Sequence, residues 1–134
     1  MRIVSGFNEK IVEGIARQSG SKSVKSSIAY LRRANYYNPE KFACEVIDDV
    51  AFFAGDICKT HFRLLEIAVV EEYQRKHYGS LCMFRIKAIC KANNLTKITL
   101  RVAKDNDKAL AFYKKYGLKV VGDKGEDWEA EIPV

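Results

Sequence analysis

Residues 41–69, "KFACEVIDDVAFFAGDICKTHFRLLEIAV", alternate apolar and polar side chains with a period near two and are rich in β-branched and aromatic types. Tight turns near Asp48–Asp49 and Lys59–Thr60 divide the run into three strands. This long meander feeds a helix, within a mixed sheet covered by helices. The segment after it is "EEYQRKHYGSLCMFRI", residues 71–86. It begins as a polar, basic turn with Arg75, Lys76, His77 and a single glycine, Gly79. It continues as a helix from Gly79 to about Ala92, apolar over most of its surface and so expected to be well buried.

The remaining elements fall around this centre. "RIVS" (2–5) reads as a short first strand. Asn8 caps a helix with Ile11, Val12 and Ile15 on one face. Ser21 or Ser23 opens a second helix, with Val24, Ile28 and Leu31 at helical spacing, and "NYYNP" (35–39) ends it. "KITLRVA" (97–103) is a strand returning by crossover, parallel to the strand before the apolar helix. "DNDKALAFYKKYG" (105–117) is a helix capped by Asp105 or Asn106, with a stripe of Ala109, Phe112, Tyr113 and Tyr116, and Gly117 as its stop. "LKVVG" (118–122) and "WEAEIPV" (128–134) are the last strands. The fold class expected is α/β, an α+β mixed sheet covered by helices.

With 134 residues, 48% apolar and 30% charged, the chain has the composition of one soluble globular domain, expected to span 1–134. No apolar run reaches membrane-span length, and "MRIVSGFNEK" lacks the apolar core of a signal peptide, so a cytoplasmic location and no membrane partner are expected. Cys44, Cys58, Cys82 and Cys90 form no C-x-x-C pair, and with His61 and His77 they match no zinc spacing, so no metal is implied. The net charge of +6 favours an anionic ligand. No helix-turn-helix glycine, RNP-type aromatic strand or basic repeat accompanies it, which argues against nucleic acid. Nothing in the sequence separates a monomer from a homodimer.

A strand–turn–helix unit aims the free N–H groups and positive dipole end of the helix at whatever occupies the turn, and a phosphate fits there. Arg75 and Lys76 add formal charge, and Gly79 lets backbone approach a ligand closely. Residues 71–80 therefore read as a pyrophosphate cradle; the alternative is a solvated basic turn ahead of a buried helix.

A second motif, "NDKALAFYKKYGL" (106–118), together with "IAVVEEYQRKHYGS" (67–80), resembles the GNAT superfamily of acetyl-CoA-dependent N-acetyltransferases. The first signature is apolar-x-Val, then Gln/Arg-x-x-Gly-x-Gly/Ala before a helix. The second is Asn-x-x-Ala-x-x-Leu/Phe-Tyr-x-Lys-x-Gly-Phe. The signatures resemble most the ribosomal-protein N-acetyltransferase branch.

The resemblance implies a mostly antiparallel central sheet, splayed at the cofactor and flanked by about four helices. It implies acetyl-CoA as co-substrate and direct transfer to a primary amine, on a small molecule or a peptide. Ile67, Ala68 and Val69 would pair with the pantetheine arm, and Arg75, Lys76, His77, Tyr78, Gly79 and Ser80 would hold the pyrophosphate. Asn106 would contact the cofactor near the splay, and Tyr113 would lie near the thioester sulfur as proton donor to the leaving thiolate.

Three positions depart from the pattern. His77 stands at the first loop glycine, where positive φ is wanted and histidine is tolerated. Leu118 replaces the usual phenylalanine. Arg101 occupies the place of the branch's glutamate in the strand before the asparagine motif. Glu66 is then the best remaining carboxylate for a base, and an Arg101 that reaches the cleft would select an acceptor with an acidic group. The alternatives to an enzyme are a non-catalytic acyl-CoA-binding or regulatory module with this fold and, on net charge alone, a basic interaction domain.

Overall fold

The computed structural model describes residues 1–134. Strands and helices follow in the order β1 (Ile3–Ser5), α1 (Glu9–Gln18), α2 (Val24–Tyr37), β2 (Phe42–Ile47), β3 (Ala51–Ile57), β4 (His61–Val69), α3 (Tyr78–Ala92), β5 (Lys97–Ala103), α4 (Asp107–Lys114), β6 (Lys119–Lys124) and β7 (Asp127–Pro133). A single 3₁₀ turn, Glu71–Tyr73, bridges β4 and the basic segment.

The seven strands form one open sheet in the order β1-β2-β3-β4-β5-β7-β6. Every neighbouring pair is antiparallel except β4 and β5. The turn at Asp48 and Asp49 has φ of 50° and 56°. The Val50 N–H donates to the Ile47 carbonyl and closes a tight turn on these two residues, three residues separate the paired Ile47 and Ala51, and aspartate tolerates the positive φ. Asn8 Oδ1 accepts the Ile11 N–H at 3.2 Å and opens α1. Ser23 takes the N-cap position of α2 without a side-chain bond.

The core lies in two layers. On one face α1 and α2 press Val12, Ile15, Ile28 and Leu31 onto Val46, Phe52, Ala54 and Ala68. On the other, α3 presses Cys82, Met83, Ile86 and Cys90 onto Phe53, Phe62, Leu64, Ile98 and Ile132. Two expectations are corrected here. Phe84 is 69% exposed, so α3 buries one face rather than most of its surface, and Ile11 lies at the rim of α1 while Ala16 takes the buried place. The helix expected over 105–117 is shorter, because Lys115–Gly117 closes in a turn whose last residue has φ of 86°. Arg85 on α3 grips the buried Glu45 of β2 with two bonds of 2.8 and 2.9 Å, a charge-assisted clasp between helix and sheet.

Candidate active site

The site begins where β4 and β5 part. Their parallel pairing runs only from His61↔Lys97 to Arg63↔Thr99. Past that point β5 pairs with β7 alone and β4 with β3 alone. Just past β4, the Val70 N–H donates to the Val50 carbonyl at 2.8 Å. By the alternation of an antiparallel ladder, Ala68 also turns its backbone to β3, whereas Ile67 and Val69 turn theirs to the gap. Of the three residues expected to pair with a ligand by their backbone, two face the open edge.

A β-bulge sets the side chains. Ala54 pairs with Glu66 and Gly55 with Leu64, which leaves Leu65 as an extra residue on β4. Before the bulge Phe62 and Leu64 face α3; after it Ile67 and Val69 do. The alternation resets, and Leu65 and Glu66 both come to the α1/α2 side. Gly55 is required opposite: a Cβ there would lie 2.4 Å from the Phe62 ring.

Glu66 thus reaches a cavity of about 990 Å³ between α2 and the exposed halves of β4, β5 and β7. Its carboxylate makes no hydrogen bond or ion pair with the protein. Burial raises its pKa to about 7. Tyr113 packs from the opposite layer against the core under α3. Desolvation, then the neighbouring Cys82 and Glu66, hold its phenol well above the usual range, so it stays protonated.

At the start of α3, His77 sits at the N-cap position with φ of 66° and ψ of 15°. The histidine occupies the left-handed conformation that a glycine would supply. The N–H groups of Arg75, His77, Tyr78, Gly79 and Ser80 find no acceptor in the chain. They make a donor-rich turn beside the exposed Arg75 and Lys76.

Three contacts frame this turn. The Tyr78 hydroxyl donates to Asp48 Oδ2 at 2.8 Å. The Arg2 N–H and Tyr78 together pull the Asp48 carboxyl below its usual range. The Tyr116 hydroxyl and Ser80 Oγ lie 3.0 Å apart. Gly79 has a packing reason beyond backbone access: a Cβ on it would stand 2.9 Å from the Phe112 ring of α4.

Asn106 is the N-cap of α4, its Oδ1 accepting the Ala109 N–H at 3.1 Å. Its role at the start of α4 is therefore structural. Gln74 is a residue that sequence reasoning missed. Its side-chain amide donates to the Ser19 and Val69 carbonyls, both at 3.0 Å, and its Oε1 accepts from Lys108. The available signal was its position as the opening residue of the loop pattern. All four cysteines are free thiols, and burial pushes Cys44 and Cys82 up to about 12, which leaves them unreactive.

Residues 18–118, which hold the parted strands and the donor-rich turn, match the model of the acetyltransferase (GNAT) family. The chain belongs to that family. Among solved structures it is similar to Ard1 from Thermoplasma volcanium, at 25% identity over 100% of this chain and 99% of that one, with a TM-score of 0.77. It is also similar to PaiA N-acetyltransferase from Thermoplasma acidophilum in complex with coenzyme A, at 21% identity over 100% of both chains and a TM-score of 0.74. The ribosomal-protein-S18-alanine N-acetyltransferase from Escherichia coli matches at 18% identity, 99% and 93% coverage and a TM-score of 0.79. No curated protein sequence matches the chain significantly.

Proposed function

We propose that residues 1–134 act as one N-acetyltransferase domain that moves the acetyl group of acetyl-CoA directly to a primary amine. The observation that carries this reading is a strand edge with open backbone groups leading to a run of free amides. The β4 edge, open at Ile67 and at the Val69 N–H while the Val69 carbonyl accepts from Gln74, leads to the free amides of Arg75 and His77 through Ser80. An extended, amide-bearing arm ending in a pyrophosphate suits that surface: the edge pairs with the arm, and the amides with Arg75 and Lys76 neutralise the phosphates. Acetyl-CoA would supply an activated thioester at the gap.

The chain's own groups then divide the work. The amine nitrogen must be neutral to attack, and Glu66, with its pKa near 7, suits removal of the proton from the ammonium form. A backbone N–H on β4 stabilises the negative charge developing on the carbonyl oxygen. As the carbon–sulfur bond breaks, the Tyr113 hydroxyl gives its proton to the sulfur, and the second proton lost by the attacking nitrogen, passed through solvent, restores the phenol. The buried, high-pKa thiols of Cys44 and Cys82 are poor nucleophiles for an acetyl-enzyme.

The test is a melting-temperature series with acetyl-CoA, and then turnover with a panel of amines. Ligand at a hundredfold excess over its dissociation constant should add about 2.7 kcal/mol. A melting temperature unmoved at millimolar acetyl-CoA overturns the reading. Binding without transfer to any amine replaces it with the non-catalytic acyl-CoA-binding module.

A further inference from the structure

The charges of the cavity above the splay do not cancel evenly. Six charged side chains line it: Arg63, Glu66, Lys97, Arg101, Glu129 and Glu131. Lys97 and Glu131 pair with each other at 2.7 Å. Arg63 pairs with Asp56 at 3.6 Å and also donates to the Tyr30 hydroxyl. Glu129 faces Arg101 across the β5–β7 ladder, yet its carboxylate lies with Lys124 at 3.5 Å. Arg101 and Glu66 are left, and neither makes a side-chain hydrogen bond or ion pair. Arg101 stands on β5 and Glu66 on β4, beyond the last pairing of those strands at Arg63↔Thr99, so they occupy opposite walls of the gap.

A cavity holding one unpaired guanidinium and one unpaired carboxyl is complementary to a ligand with one amine and one anion. The guanidinium is the stronger clue, because its planar fork matches a carboxylate in two parallel bonds and keeps its charge at every working pH. We infer that the amine acceptor carries a carboxylate, and that Arg101 binds it while the amine points to Glu66 and the thioester. The inference rests on the acetyl-transfer reading. The carboxylate can belong to a free amino-acid-like molecule or to an acidic side chain beside a peptide's N-terminus; the recognising chemistry is the same.

Matched acceptor pairs test it. β-Alanine against β-alanine amide represents the free molecule, and Gly-Asp-Gly amide against Gly-Asn-Gly amide represents the peptide. With acetyl-CoA saturating, kcat/KM is measured for each member with wild type, Arg101→Gln and Arg101→Lys. The wild type should favour the acidic member of at least one pair by about tenfold to a hundredfold, the range for a hydrogen bond to a charged group. The pair that shows the preference identifies the source of the carboxylate. Arg101→Gln should bring the ratio near unity, and Arg101→Lys should keep part of it. The ratio is the readout, so a general loss of activity does not imitate the result. Equal use of acid and amide by the wild type, or a preference that survives Arg101→Gln, overturns the inference and leaves acetyl transfer standing. If acetyl-CoA binds and no amine in the panel is acetylated, the transfer reading fails and the inference with it.

Discussion

The side-chain amide of Gln74 donates to the carbonyl oxygen of Val69 at 3.0 Å, tying the basic turn to the open edge of β4. A second bond, to the Ser19 carbonyl beyond α1, fixes the same amide from the other side. One side chain thereby sets the spacing between the strand edge and the amides before α3.

Gln74→Ala should weaken acetyl-CoA binding more than it weakens the fold. It removes two half-buried bonds worth about 1 kcal/mol each, and it frees the loop whose conformation the ligand needs. Calorimetry with acetyl-CoA should show roughly a tenfold loss of affinity, from about 1.4 kcal/mol less binding energy. Unchanged affinity would mean that the loop holds its shape without this anchor.

Gly79→Ala should destabilise the protein although alanine is the better helix former. Propensity favours alanine by about 1 kcal/mol. Against it stands a contact of 2.9 Å with the Phe112 ring, and overpacking typically costs about 1–3 kcal/mol. In a Phe112→Ala background the clash disappears, and the same substitution should become neutral or stabilising. Urea unfolding of the four proteins in the cycle gives the coupling, and additive effects would contradict it.

Much of the fold was legible because local chemistry and tertiary structure agree. Asp48 and Asp49 take the positive φ of the tight turn between β2 and β3, Asn8 caps α1, and β5 spans the residues its alternation marks. The crossover between β4 and β5 came from the helix between them. Other features depend on contacts distant in sequence. The bulge at Leu65 is an extra residue in a ladder, visible only once β3 supplies its register. Phe112 explains Gly79 from 33 residues away, and no local pattern reports that meeting. The open α3 face around Phe84 arises because nothing packs over a helix already satisfied on its sheet side.

The two signatures meet at the candidate site, one on each side of the β4–β5 gap. Asn106 and Gln74 show that a motif residue can hold backbone in place.

Glu66→Gln should change how stability and rate depend on pH. The Glu66 pKa rises from 4.5 to about 7 on folding. A raised carboxyl pKa stabilises the fold below pH 4.5, and that contribution is lost as pH climbs through about 7. Relative to Glu66→Gln, the wild type should lose stability across this window and level off above it. The wild-type kcat/KM should rise with an inflection near 7, and Glu66→Gln should lack that inflection. An inflection that persists in the variant assigns it to another group.

Tyr113→Phe keeps the ring in its packed place and removes the hydroxyl. The turnover number should fall by about a hundredfold or more, within the usual range for a positioned general acid, while acetyl-CoA affinity stays near that of the wild type. Turnover equal to wild type, where chemistry limits the rate, would leave Tyr113 a packing residue and assign the proton to water.

The most direct measurement tracks coenzyme A release after an amine is added to protein saturated with acetyl-CoA, with acetylated amine quantified in the same samples by mass spectrometry. The expected result is release of free thiol and appearance of acetylated amine in equal amounts, with no acetylated protein accumulating. Thiol release that does not depend on the amine, or an acetyl group retained on the chain before the amine arrives, would contradict direct transfer across the β4–β5 gap.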